Sequence, residues 1–321
     1  TGINLGHCTP GCAQGAKASV DITYWPRAIR AGVELRTRCR VREITTNAQG
    51  MASGAIYYDA NGVGTPRILL NSASSRFPDG LAHSSGLVGK NLMLHPWPQV
   101  LGYVDDELDG DHGPMMVLCS KQFYETDPAR DFLRSYMLAL TRVTGPVNEA
   151  VTSAAAGRLP WGAAHHRVFR RLNRHRLVIG IGCEDLPEVH NQVTLDPDLE
   201  DSNGIPAPRI DYTISENSRR MMDHAIARAE EILETAGASN IFTSRTVLNT
   251  PGHLLGTARM GDDPARSVVN AWGRSHDVKN LFIVDGSIFV TSGGVNPTAT
   301  IQALALYIAD QMKRRLANLF D

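Results

Sequence analysis

Cysteine is scarce in this sequence, and a surplus of either charge is missing. Five cysteines in 321 residues, an odd number, exclude the dense disulfide framework of a small secreted scaffold. Lysine plus arginine (32) nearly balances aspartate plus glutamate (33), leaving a net charge of −1. That balance excludes a globally basic nucleic-acid binder and an acidic solvating tail. No apolar run approaches the roughly 18 residues of a membrane-spanning helix. The chain has no G-x-G-x-x-G fingerprint, no G-x-S-x-G nucleophile elbow and no H-E-x-x-H zinc helix. Internal repeats and low-complexity tracts are absent too. The first residue is Thr1, and no basic start followed by an apolar stretch marks a signal peptide. The chain therefore reads as processed or as a piece of something longer, with the cytoplasm slightly favoured as its compartment.

What is present is ordinary for a globular protein: 42% hydrophobic and 20% charged residues. The length suggests about two domains and burial of about three quarters of the unfolded surface. Helical spacing over 21–32 predicts an early helix, with Ile22, Trp25, Ala28 and Ile29 on one side and Gly32 as its stop. Strands are expected at 33–36, 40–45 and 53–59, with a turn at Asn61-Gly62 and a Gly- and Ser-rich loop over 77–90. Residues 67–70 form a short apolar stretch. Further strands are expected at 99–104, 135–143, 177–183, 193–195 and 209–214, and an exposed loop at 105–113. Ser215 reads as the N-cap of a long helix. Its Met222, Ile226, Ala229, Leu233 and Ala236 recur every three or four positions before Gly237. The last stretch reads as a buried strand at 281–284, a turn at Asp285-Gly286 and a loop at 291–294. A helix follows to about Arg315, with Asn296 as N-cap and Pro297 at its first position.

Two clusters carry chemistry only weakly by themselves. Cys8 and Cys12 form a C-x3-C pair with no second pair, too few ligands for a zinc site or an iron–sulfur cluster. They read as loop residues or one local disulfide, and no metal site is expected. Residues 165–176 hold five arginines and three histidines. They read as an anion-binding surface or, with Val168, Phe169 and Leu172 turned inward, as the solvated face of a helix.

Two segments near the end are more informative. One is Gly252-His253-Leu254-Leu255-Gly256-Thr257-Ala258-Arg259-Met260-Gly261. The other runs Leu281 to Ser287 and is followed by Asn296-Pro297-Thr298-Ala299-Thr300. A strand ending in Asp-Gly offers a carboxylate and a bare backbone N–H at a sheet edge. A helix starting near Pro297 aims free N–H groups and partial positive charge at whatever precedes it. His253, between glycine-containing turns, can titrate near neutral pH.

Together, H-x-x-G-T-x-x-M-G, then V-D-G-S, then N-P-T resembles the C-terminal pattern of the glucose–methanol–choline (GMC) family of flavin oxidoreductases. The resemblance extends to Asn191-Gln192-Val193-Thr194-Leu195 and to Gly86-Leu87-Val88-Gly89-Lys90-Asn91-Leu92-Met93, similar to the family's G-x-V-G-[RK]-N-L. It implies FAD as cofactor and an alcohol or sugar oxidised by hydride transfer to flavin N5. His253 would be the base and Asn296 the group that orients the substrate oxygen. Asp285 and Gly286 would meet the ribityl and pyrophosphate portion, and Val41 the adenine. The start of the helix at Asn296, Pro297 and Thr298 would face the pyrimidine end of the flavin. The implied fold is α/β or mixed α+β: an incomplete FAD-binding, Rossmann-like domain (1–95 and 250–321) and a substrate domain (96–249) with an antiparallel sheet backed by helices. The electron acceptor is not specified.

The departures from the pattern also inform. The family's opening strand and Gly-rich pyrophosphate turn are not in this sequence, which makes it read as a fragment. After Asp59-Ala60-Asn61-Gly62 the chain reaches Thr65-Pro66-Arg67 almost at once, without the family's intervening apolar strand. Leu94, before His95, replaces an acidic residue common there. Two rival readings remain. One is a catalytically incompetent module without tight flavin binding. The other is a nucleic-acid binder using the arginine run, which no recognition motif accompanies.

Overall fold

The computed structural model describes residues 20–35, 37, 39–59, 64–108, 113, 115–142, 145–245 and 253–318. Cys8, Cys12 and the turn at Asn61-Gly62 lie outside them. In chain order the elements are α1 (Val20–Thr23), α2 (Trp25–Arg30), β1 (Cys39–Thr46), β2 (Ala52–Asp59), α3 (Thr65–Asn71), β3 (Gln99–Tyr103), β4 (Met116–Ser120) and β5 (Tyr136–Thr141). Then come α4 (Pro146–Ala155), α5 (His165–Arg174), β6 (Arg176–Cys183), β7 (Gln192–Glu200), β8 (Pro206–Asp211), α6 (Glu216–Thr235), β9 (Ser239–Ser244) and α7 (Thr298–Arg314). The chain divides into two compact units. Among the described residues, one takes 20–35, 96–183 and 219–245, and the other takes 37–95, 184–218 and 253–318. The segment 184–218, which the sequence reading put in the middle domain, clusters with the second unit, and 20–35 with the first.

The first unit is built on a five-stranded antiparallel sheet, ordered β4-β5-β6-β3-β9. Its centre is β6, where Val178, Ile179, Ile181 and Cys183 are all buried. A strand covered on both faces needs such an uninterrupted apolar run. Gly180 is bare because an added Cβ would sit 2.9 Å from Trp97 Nε1. The periodic face of α6 buries Met221, Met222, Ala225, Ile226, Ala229 and Leu233. Leu233 reaches the sheet at Gly102, and His224 Nδ1 lies 2.8 Å from the hydroxyl of Tyr136 in β5. Helix α5 turns Val168, Phe169 and Leu172 toward Tyr103 and Leu159. On its other side Arg171 and Arg174 pair with Asp105 and Glu107.

Two expectations in this unit are corrected. The helix over 21–32 is two short helices interrupted at Tyr24, with Pro26 in the first turn of the second. Proline supplies no N–H and crowds the preceding turn, so a helix restarts there rather than passing through. Ile22, Trp25 and Ile29 are exposed in it. Residues 33–35 form no strand. Elements β4, α4 and β9 come in addition to the expected ones.

The second unit has two antiparallel hairpins, β1–β2 and β7–β8. Its described ladders are antiparallel or single bridges, apart from one isolated parallel bridge, Met260 to Val269. The core gathers Leu69, Leu81, Val88, Ala258, Val268, Val269, Val278, Ile283, Ile288 and Ile308. The apolar stretch 67–70 proves helical, in α3. Its buried Arg67 pairs with Asp201 at 2.8 Å and donates to the carbonyls of Ile205 and Pro206, clamping the β7–β8 turn. The expected strand at 281–284 is corrected to a loop with one bridge, Arg274 to Phe282. Ile283 enters the core there through a bond from its N–H to Gly273, and Val284 faces outward.

Candidate functional site

The motifs far apart in sequence meet as backbone in the second unit. Met93 and Leu255 exchange both hydrogen bonds, and Thr257 N donates to Lys90 O. On the other side Gly256 N donates to Gly286 O, Ala258 N to Ser287 O and Met260 N to Ile288 O. Residues 255–260 are thus the middle layer of three. A fourth piece joins when Leu92 N donates to Asn191 O, and Asn191 spends both its amide groups on the backbone of Thr213. The layers sit too close for side chains: a Cβ on Gly256 would lie 2.1 Å from Asn91 O, and one on Gly89 2.2 Å from Val193 O. One glycine in each motif, Gly256 and Gly89, is required by this contact.

His253 stands at the entrance to the middle layer, half-buried, at φ +65°. Its Nε2 is 3.4 Å from Nδ2 of Asn296. Its Nδ1 is 2.7 Å from Nδ1 of His95. His95 is 3% exposed, and its Nε2 is 2.5 Å from the carbonyl oxygen of Gly293. Burial lowers the pKa of His253, and burial lowers that of His95 to about 4. Both shifts favour the neutral ring at pH 7.

A buried carboxylate holds the segments around His95. Asp185 Oδ2 accepts from Tyr212 Oη at 2.7 Å and from Leu94 N at 3.1 Å, and its Oδ1 accepts from Ser218 Oγ. Ser292, beside Gly293, bonds to the backbone of Asp185. Burial raises the pKa of Asp185, an effect those hydrogen bonds oppose. Sequence reasoning missed both His95 and Asp185. The one available hint was the departure at Leu94, which drew notice to that loop without giving its histidine a role.

The other predicted residues have distinct places. Asp285 caps the turn Gly286–Ile288, accepting from Ser287 N at 2.8 Å and from Thr65 Oγ1 at 2.5 Å. It lines, with Gly286, Ser287, Leu254 and Gly256, a cavity of about 310 Å³. Pro297 is buried at the N-cap of α7 and Thr298 is its exposed first residue. Neither they nor Val41, 37% exposed on β1, line that cavity. Asn296 was expected to cap the helix. Pro297 occupies that position instead, and the Asn296 amide turns to His253. No cluster of three metal-ligating side chains occurs among the described residues. None of the described helices is long and apolar enough to cross a membrane.

Comparison with known proteins bears on this arrangement. Residues 187–305, which include His253 and Asn296, match the family GMC oxidoreductase. The 2-methyl-1,2-propanediol dehydrogenase of Mycolicibacterium austroafricanum is 39% identical over 99% of this chain and 61% of its own length. The fructose dehydrogenase large subunit of Gluconobacter japonicus is 31% identical over 95% of this chain and 58% of its own length. A formate oxidase of Aspergillus oryzae shares the fold, with a TM-score of 0.55 at 17% identity over 88% of this chain and 61% of that one. The chain thus spans less than two thirds of the relatives it matches. Across that span, with the three-layered motif backbone at its centre, the chain belongs to the GMC oxidoreductase family.

Proposed function

We propose that this chain carries the proton-accepting and hydroxyl-orienting part of an FAD-dependent oxidoreductase acting on the CH–OH group of an alcohol or sugar. The approach of His253 Nε2 to Asn296 Nδ2, at 3.4 Å and from separate loops, carries this reading. A neutral imidazole nitrogen accepts the hydroxyl proton. An amide N–H donates to the same oxygen. Two groups on one oxygen fix the direction of the carbinol C–H bond, and such orientation contributes much of a rate enhancement. Loss of the proton to His253 and of a hydride from carbon leaves a carbonyl product. FAD, when bound, supplies the hydride acceptor.

The residues at the cavity fit part of that cofactor. Ser287 Oγ is buried without a hydrogen-bond partner, an unmet polar group in the cavity lining. Asp285, Gly286 and Ser287 would hold ribityl hydroxyls and the adjoining pyrophosphate. The start of α7, from Asn296 through Pro297 to Thr298, would turn its partial positive charge to the pyrimidine end. Val41 would meet the adenine. In this reading the second unit is the incomplete flavin domain and the first holds the substrate sheet. The two relatives named above act, by their names, on a diol and a sugar. Both are dehydrogenases, which favours that over an oxidase.

The test uses the complete protein. His253→Ala lowers the rate at which an alcohol bleaches the flavin under anaerobic conditions by ~100-fold or more. Bleaching at the parent rate removes His253 from the role. A second reading, that the chain alone does not hold flavin tightly, is favoured by its partial span and by a cavity of about 310 Å³. That volume is at the lower end of the roughly 300–1,000 Å³ of pockets for drug-sized ligands.

A further inference from the structure

We infer that His95 is a positioning residue for His253, accepting a hydrogen bond from its Nδ1 and so fixing the tautomer in which Nε2 presents a lone pair toward Asn296. This rests on the proposed role of His253 as base and names the group that prepares that base.

The tautomers are set from a carbonyl outward. The oxygen of Gly293, 2.5 Å from His95 Nε2, can only accept, so that nitrogen carries a proton. A neutral imidazole has one N–H, so His95 Nδ1 is bare. His253 Nδ1, 2.7 Å away, must then be the donor. His253 is neutral as well, which leaves its Nε2 unprotonated. That is the nitrogen facing the Asn296 amide. Three contacts in series thus set the protonation of the reactive atom, much as an outer partner fixes the tautomer of a metal-bound histidine.

The same geometry suits the proton transfer itself. When His253 Nε2 takes the hydroxyl proton, the ring becomes a cation and its Nδ1–H bond to His95 becomes charge-assisted. His95 does not carry the proton onward. Burial keeps its pKa near 4, and its second nitrogen stays committed to Gly293. The Asp185 network secures both ends of this chain of contacts, through Leu94 on one side and Ser292 on the other.

The test is a long-range proton–nitrogen correlation spectrum of the chain labelled with ¹⁵N-histidine, in which bare and protonated ring nitrogens resonate far apart. His253→Gln and His95→Gln assign the two rings by their lost signals. The expected pattern is Nδ1–H with bare Nε2 at His253, and the reverse at His95. A protonated Nε2 on neutral His253 overturns the inference. In the complete protein, His95→Phe removes the acceptor and lowers kcat by ~10–100-fold with KM little changed, whereas His95→Gln, which keeps an acceptor, retains most of kcat. An unchanged kcat in His95→Phe, where His253→Ala is inactive, overturns the positioning role alone. If His253→Ala is itself fully active, the role of the base fails while the tautomer stands as measured.

Discussion

His253 and Thr257 both have positive φ, +65° and +76°, in the region that residues with a Cβ avoid at a cost of roughly 1–2 kcal/mol each. Such conformations persist where the surroundings over-determine them: the backbone of Thr257 bonds to Lys90 and Gly89, and the His253 ring contacts His95 and Asn296. Burying two neutral histidines has a measurable consequence. The ordinary pKa of 6.5 applies to the unfolded chain, whereas His95 in the folded protein titrates at about 4. Between those values the unfolded state binds the extra proton. Stability is therefore full above pH 6.5 and falls as the pH drops toward 4, by on the order of 3 kcal/mol from His95. Denaturant unfolding across that range should show the slope in the parent and a much smaller one in His95→Gln; equal slopes would mean that His95 is not the group responsible. His253, Asn296 and Asp285 were legible as residues because each sits inside a spaced pattern. His95 was not, because its partners are His253 and Gly293, more than 150 positions along the chain, and nothing near it in sequence signals them.

At the scale of elements, the sequence announced what is buried on both sides and concealed what is not. β6 and α6 were plain because their apolar residues form a run in one and a helical stripe in the other. β4 and β9 are the edge strands of the five-stranded sheet and bury little, with Val117, Leu118 and Phe242 exposed, so no alternation marks them. The tetrad Leu281-Phe282-Ile283-Val284 misled for the opposite reason: a short apolar run can enter a core as loop as well as strand. The glycines of the motif loops make the sharper prediction. Gly256→Ala puts a Cβ 2.1 Å from Asn91 O at φ +77°, combining steric overlap with a strained backbone. The loss should be on the order of 3 kcal/mol, read from the denaturation midpoint. Gly32→Ala, also at positive φ but with no atom within 4 Å of the added Cβ, serves as the comparison, and a similar cost in both would leave the close-packed layers without energetic weight.

At the scale of the molecule, near-neutral charge and the partial span of longer relatives set the expectations. The arginine run of 165–176 has an apolar inner side in α5 and acidic partners for three of its guanidinium groups, Arg171 with Asp105, Arg174 with Glu107 and Arg176 with Glu149. The partial span bears on the cofactor: the purified chain should be colourless while folded, since a cavity of about 310 Å³ contacts too little of a dinucleotide for tight retention. A yellow preparation whose absorbance survives gel filtration would reverse that expectation. The two-sided bonding of residues 255–260 has a mechanical outcome as well. Gly256 is tied to Gly286, Leu255 to Met93 and Thr257 to Lys90, so the wall of the cavity and the base of the imidazole loop form one stiff plate. Load placed on that wall by any occupant is transmitted along the plate toward the imidazole loop, and the slowest-exchanging amides of the unit should be those of Leu255, Gly256 and Ala258.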